Sequence, residues 1–144
     1  MIPVTQTKVV VTNSKGEKVV NGNCFAACIA SLLELPITEV PNVEVFFHME
    51  TGYWQDVMDT FLESKGYELA SGHQFQCFHF PDLDIPDREK LMEELKDQYY
   101  LVYGDSPRGV YHSTIWQNGV MVHDPHPSRD GILNLGDFKY LRKI

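Results

Sequence analysis

Asn21-Gly22-Asn23-Cys24-Phe25-Ala26-Ala27-Cys28-Ile29-Ala30-Ser31-Leu32-Leu33-Glu34-Leu35-Pro36 runs from a polar, glycine-containing turn into an apolar segment closed by proline. After Cys24 only Ser31 and Glu34 interrupt the apolar character before Pro36. A helix that is apolar all round must be buried all round. The side-chain oxygen of Asn23 or Asn21 suits an N-cap, and Pro36 stops the helix through its ring and its missing N–H. Cys24 therefore opens a buried helix, where unsatisfied amides and the positive end of the helix dipole favour a thiolate. Cysteine is also among the most often buried residue types, so simple packing accounts for Cys24 as well. A base and an orienting group elsewhere in the chain decide between the two. Cys28, one turn further in, reads as structural.

The chain has 144 residues, the size of a single domain (1–144) with one core. Its hydrophobic share of 43% and charged share of 22% are those of an ordinary globular protein. A net charge of −8 and the absence of any Lys/Arg cluster argue against a nucleic-acid partner. The N-terminal stretch Met1-Ile2-Pro3-Val4-Thr5-Gln6 lacks the charged-then-apolar pattern of a secretory signal. No apolar run has membrane-spanning length, so no membrane partner is expected. Three cysteines, two of them on one helix, do not read as a disulfide framework, and a cytoplasmic setting is the expectation.

Val4–Thr12 reads as a strand, Asn13-Ser14-Lys15-Gly16 as a turn and Glu17–Val20 as the returning strand. A three-residue loop ending in Gly16 sets Asn13 against Glu17, and the same ladder brings Gln6 opposite Cys24. Gln6 then supplies an amide donor beside the cysteine, as an oxyanion hole requires; an exposed polar residue on an edge strand is the plainer alternative. Pro36–Pro41 is a proline-bracketed turn or short helix. Residues 53–65 space Trp54, Val57, Met58, Phe61 and Leu62 three and four apart before Gly66, which predicts an amphipathic helix with those side chains in the core. Tyr67–Ala70 and Gln74–Phe80 are expected as strands, the latter with Cys77 packed inside. Residues 81–86 are irregular, and 87–97 form a charged covering helix. Tyr99–Tyr103 and Tyr111–Gln117 read as strands about a Gly104-Asp105-Ser106-Pro107-Arg108-Gly109 loop. Hairpin, helices and then a cluster of strands make the class α+β.

His112-Ser113-Thr114-Ile115-Trp116-Gln117-Asn118-Gly119-Val120-Met121-Val122-His123-Asp124-Pro125 is the strongest hairpin signal. A three-residue loop ending in Gly119 pairs Trp116 with Val120 and sets His112 opposite Asp124, with Thr114, Trp116, Val120 and Val122 on the same face. A two-residue Asn118-Gly119 turn slips the ladder by one and sends Asp124 to the other face. The first register sorts the apolar residues better and is the one expected. Asp124 then fixes the tautomer of His112, whose imidazole takes the proton of Cys24, the nucleophile, base and orienter of covalent acyl transfer.

A polar turn, a cysteine opening an apolar helix, and a late histidine strand followed by a strand closing in Asp-Pro together resemble the papain-like cysteine peptidases. Among these the chain looks most like the bacterial peptidases that cleave leader peptides after paired glycines. The resemblance covers Asn21–Leu35 and Tyr111–Pro125 and implies a papain-like fold, with the helix packed on a small antiparallel sheet. It also implies Cys24 as nucleophile, His112 as base and Asp124 as orienting acid. That family places an oxyanion glutamine six positions before the cysteine, where this chain has Lys18; Gln6 is the substitute, with Asn23 and Asn21 as further candidates. The residue after the nucleophile is Phe25 rather than a small one.

His123, Asp124 and His126 with Cys24 and His112 also invite a zinc reading, but no ligand pair stands at standard spacing, and no metal or cofactor is expected. Arg108, His126 and Arg129 are expected instead on loops that contact substrate, the arginines suited to a carboxylate or phosphate. The expected activity is a thiol hydrolase acting on a peptide, isopeptide or small amide through Cys24, His112 and Asp124. An acyltransferase with the same triad, or a non-catalytic binding module retaining the fold, are the alternatives.

Overall fold

The computed structural model describes residues 1–20, 22–46 and 52–144. Asn21, one of the expected caps and oxyanion candidates, lies outside them. The chain opens with an extended segment and a short hairpin, β1 (Val11–Thr12) and β2 (Lys18–Val20), then α1 (Cys24–Leu33). Two 3-10 turns, Ile37–Glu39 and Val43–Phe46, precede α2 (Tyr53–Ser64) and β3 (Tyr67–Ser71). A third 3-10 turn, His73–Phe78, leads to α3 (Arg88–Glu94), β4 (Tyr99–Asp105), β5 (Tyr111–Gln117), β6 (Val120–His123) and β7 (Asp137–Lys143). The class is α+β: five strands form an antiparallel sheet in the order β3-β7-β4-β5-β6.

Every residue of α1 from Cys24 to Ser31 is buried, as an all-apolar helix requires. The helix ends where Glu34 turns left-handed at φ 58° and gives its N–H back to Ala30 and Ser31. Leu35 precedes a proline and is sterically barred from continuing the helix. The helix lies across one face of the sheet, where Cys28 and Ile29 meet Leu101, Ile115, Met58 and Leu62. Alternate residues of β4 point the other way, and Tyr100 and Val102 join Phe75, Cys77 and Phe138 in a second apolar cluster. Buried on both faces, β4 is the spine of the sheet, and β5 beside it carries His112.

Several expectations are corrected. Of the strand expected over Val4–Thr12 only Val11–Thr12 pairs. The Asn13–Glu17 closure forms as expected, with Asn13 N–H donating to Glu17 O at 2.8 Å. A bulge between Val11 and Thr12 then shifts the ladder, and the segment before it carries no further strand pair among the described residues, although Asn23 N–H donates to Lys8 O at 3.1 Å. Gln74–Phe80 is not a strand: the backbone curls into a 3-10 turn after Gly72, whose N–H is held by Phe138 O at 2.8 Å, and both Phe75 and Cys77 turn inward. The covering helix is shorter than expected, at Arg88–Glu94. The strand β7 was not read from the sequence, although Phe138 and Tyr140 alternate there with polar neighbours.

The late hairpin turns differently from the expected register. Asn118 and Gly119 form a two-residue turn with φ of 52° and 81°, so Gln117 pairs with Val120. Positive φ at both positions matches the twist of the flanking strands, and Asn-Gly tolerates it best. Asn118 is held further by two hydrogen bonds to Asp97, each 2.8 Å. Val120 and Val122 are consequently solvent-facing, 63% and 39% exposed, rather than on the buried face. A bulge then opposes Val122 to no residue of its own: Trp116 pairs with Met121 and Ile115 with His123. The bulge adds a second one-residue shift to the one made by the turn, so the register stays displaced but the alternation of faces is restored, and Asp124 returns to the face of His112.

Candidate active site

Cys24 and His112 line one cavity of about 500 Å³ between α1, the N-terminal segment and the β4–β5 end of the sheet. His112 Nε2 lies 2.5 Å from Asp124 Oδ1, with both side chains almost wholly buried. The carboxylate is fully engaged: Oδ1 also accepts from the His126 amide at 2.9 Å, and Oδ2 accepts from the Gly131 amide at 2.7 Å. Burial alone would push the Asp124 carboxyl up. The hydrogen bonds from His112, His126 and Gly131, with the charge of His112, outweigh it and bring the carboxyl down to about 2. An acceptor fixed in this way holds the imidazole orientation and leaves Nδ1 as the nitrogen available to a reacting group.

Ser113 acts on Cys24 from strand β5, its amide and hydroxyl lowering the pKa of the thiol. Ser113 follows His112 directly, so β5 brings both residues to the cavity that Cys24 lines. The thiolate expected from the helix terminus is not the resting state. Desolvation and the carboxylate of Glu44, whose Oε2 is 3.9 Å from Sγ, raise the thiol to about 12 against the lowering effect of the Ser113 and Phe25 hydrogen bonds. The cap is also corrected: Asn23 makes no side-chain bond to the helix, and Glu44 Oε1 accepts from the Phe25 amide at 2.6 Å instead. A negative charge at the helix N-terminus is favourable for the helix and unfavourable for a second anion beside it.

Asn23 holds the N-terminal segment. Its Oδ1 accepts from Thr7 N at 3.0 Å and Lys8 N at 2.9 Å, and its Nδ2 donates to Thr7 Oγ1 at 2.8 Å. The segment is pinned elsewhere too, with Gln6 N–H on Pro125 O at 2.8 Å and His123 bonded to Val4 O at 2.7 Å. Gln6 is thus brought to the cavity by this clasp and not by the expected ladder. It is 6% exposed, its Nε2 donates to Lys8 O at 2.7 Å, and its Oε1 has no hydrogen-bond partner among the described residues. Gly22 makes room, since a Cβ there would stand 3.4 Å from Gln6 Nε2 and 3.3 Å from Lys8 O.

The three expected substrate contacts separate. Arg108 and His126 line the cavity. Arg129 does not: its guanidinium bonds to Asp124 O and Thr5 Oγ1, tying the strand exit to the N-terminal segment. Among the described residues no cluster of three His, Cys, Asp or Glu side chains is placed to hold a metal ion; His123 is turned away to Val4 O. Cys28 is fully buried against Ser113 O, and burial with the neighbouring Cys24 and Glu44 keeps its thiol protonated.

Glu44, Ser113 and Trp54 were not read from the sequence as site residues. Glu44 is a single acid in the apolar run Val43-Glu44-Val45-Phe46, a signal of a buried charge with a task. Trp54, expected in the core, packs against the core partly buried and also lines the cavity with Phe25, against which it packs edge-on at 6.0 Å. Among the described residues no helix is long and apolar enough to cross a membrane. Comparison with family models, with curated proteins and with solved structures finds no match to this chain.

Proposed function

We propose that this protein is a thiol hydrolase of papain-like type that cleaves an amide bond through Cys24, His112 and Asp124. The observation that carries the reading is the buried 2.5 Å His112–Asp124 pair facing the cavity that Cys24 lines. A buried histidine and carboxylate are costly to place unless mutually bonded, and here the pair stands beside the chain's single cavity-lining thiol among the described residues.

The reaction begins with a protonated thiol, so His112 acts as a general base during attack rather than as partner of a standing thiolate. Sγ bonds to the substrate carbonyl carbon as its proton passes to His112 Nδ1. The Cys24 amide and the Gln6 side chain donate to the oxyanion. Collapse breaks the C–N bond, and His112 returns the proton to the leaving amine. Water, deprotonated by the same imidazole, then cleaves the thioester and releases the acid, restoring the thiol. No cofactor enters this sequence.

The test is iodoacetamide alkylation of the native protein, read by mass spectrometry at Cys24, Cys28 and Cys77, with His112→Ala alongside. Preferential labelling of Cys24, slowed about tenfold or more in His112→Ala, is the expected result. Equal labelling of Cys24 in both proteins removes the hydrolase and leaves a binding module.

A further inference from the structure

The side of the cavity next to His112 carries a polar corner that the triad does not use. Arg108 comes from the β4–β5 loop, where Gly109 turns at φ 80° and Ser106 closes on Val110 at 2.9 Å. His126 and Ser128 come from the segment after β6. Arg108 Nη1 donates to Ser128 Oγ at 3.1 Å, and Ser128 Oγ lies 2.8 Å from His126 Nδ1. The Ser128 amide also donates to His126 Nδ1, at 3.0 Å. Nδ1 is therefore an acceptor, and the proton of the neutral ring sits on Nε2. The His126 ring stands edge-on to His112, centroids 6.1 Å apart, and its backbone amide holds Asp124 Oδ1.

We propose that Arg108 and His126, set by Ser128, bind a carboxylate on the leaving amine, so that the scissile amide joins an acyl group to an amino acid. This rests on the hydrolase reading, because it is His112 that protonates the leaving amine and His126 is the side chain beyond it. One guanidinium and one neutral N–H match a single negative charge. A phosphate dianion would stand uncompensated near Asp124 and Asp130. Burial, Arg108 and His112 lower the His126 pKa, against the opposing pull of Asp124 and Asp130, which keeps the ring a neutral donor at pH 7. Three acids line the rest of the pocket or its base, Glu44 beside Cys24, Asp124 behind His112 and Asp137 beside Lys139, so the Arg108 corner is where an anion is tolerated.

The experiment is binding of N-acetyl dipeptides to Cys24→Ala, with Cys24→Ser as a second inactive protein. Each dipeptide is presented as the C-terminal acid, as the uncharged carboxamide, and as a carboxamide with Asp or Glu in the last position. Acids are expected to bind at least about tenfold more tightly than uncharged amides, and Arg108→Gln in the same background is expected to abolish the difference. The Asp and Glu amides distinguish a side-chain carboxylate from a terminal one. Equal binding of acids and uncharged amides, a preference that survives Arg108→Gln, or no binding of any member overturns the assignment. Turnover by the wild-type protein is read separately: a carboxylate preference without cleavage or His112-dependent alkylation keeps the corner and discards the hydrolase.

Discussion

Asp124 and His112 share a 2.5 Å hydrogen bond because a bulge at Val122 adds a second one-residue shift to that of the Asn118-Gly119 turn and so brings Asp124 back to the face of His112. Asp124→Asn retains the volume but removes the charge that stabilises the imidazolium. A loss of about 10²–10⁴ in kcat is expected, with KM little changed. The acid limb of stability should change too. A carboxyl held at about 2 when folded, against 3.8 for the free group, stabilises the protein above about pH 4, and that contribution disappears as pH falls towards 2. The term is on the order of 2 kcal/mol. Urea melts of wild type and Asp124→Asn from pH 6 down to pH 2 should therefore converge at the acid end, and parallel curves would refute the assignment.

Glu44 suppresses ionisation of Cys24 while capping α1. Glu44→Gln keeps an oxygen for the Phe25 amide and removes the charge. A unit charge about 4 Å away is worth about 1 kcal/mol even at the dielectric of water, so alkylation of Cys24 at pH 8 should rise by about fivefold or more. An unchanged pH profile in the variant would show that burial alone raises the thiol.

Gln6 and Asn23 differ in what their loss should cost. Under the proposed mechanism Gln6→Ala removes an oxyanion donor, and a fall of about 10²–10³ in kcat is expected, with no more than about 1–2 kcal/mol of stability lost along with its bond to Lys8 O. Asn23→Ala instead releases Thr7 and Lys8, with about 1–3 kcal/mol of stability lost and faster proteolysis within residues 1–10. If Asn23→Ala leaves both stability and cleavage unchanged, the clasp does not hold the segment.

Gly104 lies opposite His112 in the ladder, and a Cβ there would fall 1.8 Å from Asn134 O. The Asn134 side chain is itself bonded twice to Asp105. Gly104→Ala must push that loop off β4, and a loss of about 1–3 kcal/mol in thermal or urea unfolding is expected. Stability equal to wild type would show that the loop yields freely.

Local chemistry was enough to place α1, α2, β4 and β5, because their apolar periods and their Pro and Gly punctuation act within a few residues. The same local pattern marked Cys24, His112 and Asp124, since a helix start and a strand exit are each readable from their own neighbours. What the hairpin did was not local in that sense. Its apolar sorting favoured a three-residue loop, while the strand twist and the Asp97 contacts to Asn118 selected the two-residue turn. The bulge that returned Asp124 to the face of His112 has no signature in the alternation of side chains.

The sequence by itself determined an α+β chain with a buried helix opened by a cysteine, and a histidine and an aspartate late in the chain. Only the tertiary structure decided that Gln6 reaches the cavity through the Asn23 clasp, that Arg129 braces the backbone while Arg108 faces the cavity, and that burial, with Glu44, keeps the thiol protonated. Each of these depends on groups far apart in sequence meeting in the folded chain. There, hydrogen-bond partners and charges are chosen by packing and not by spacing along the chain.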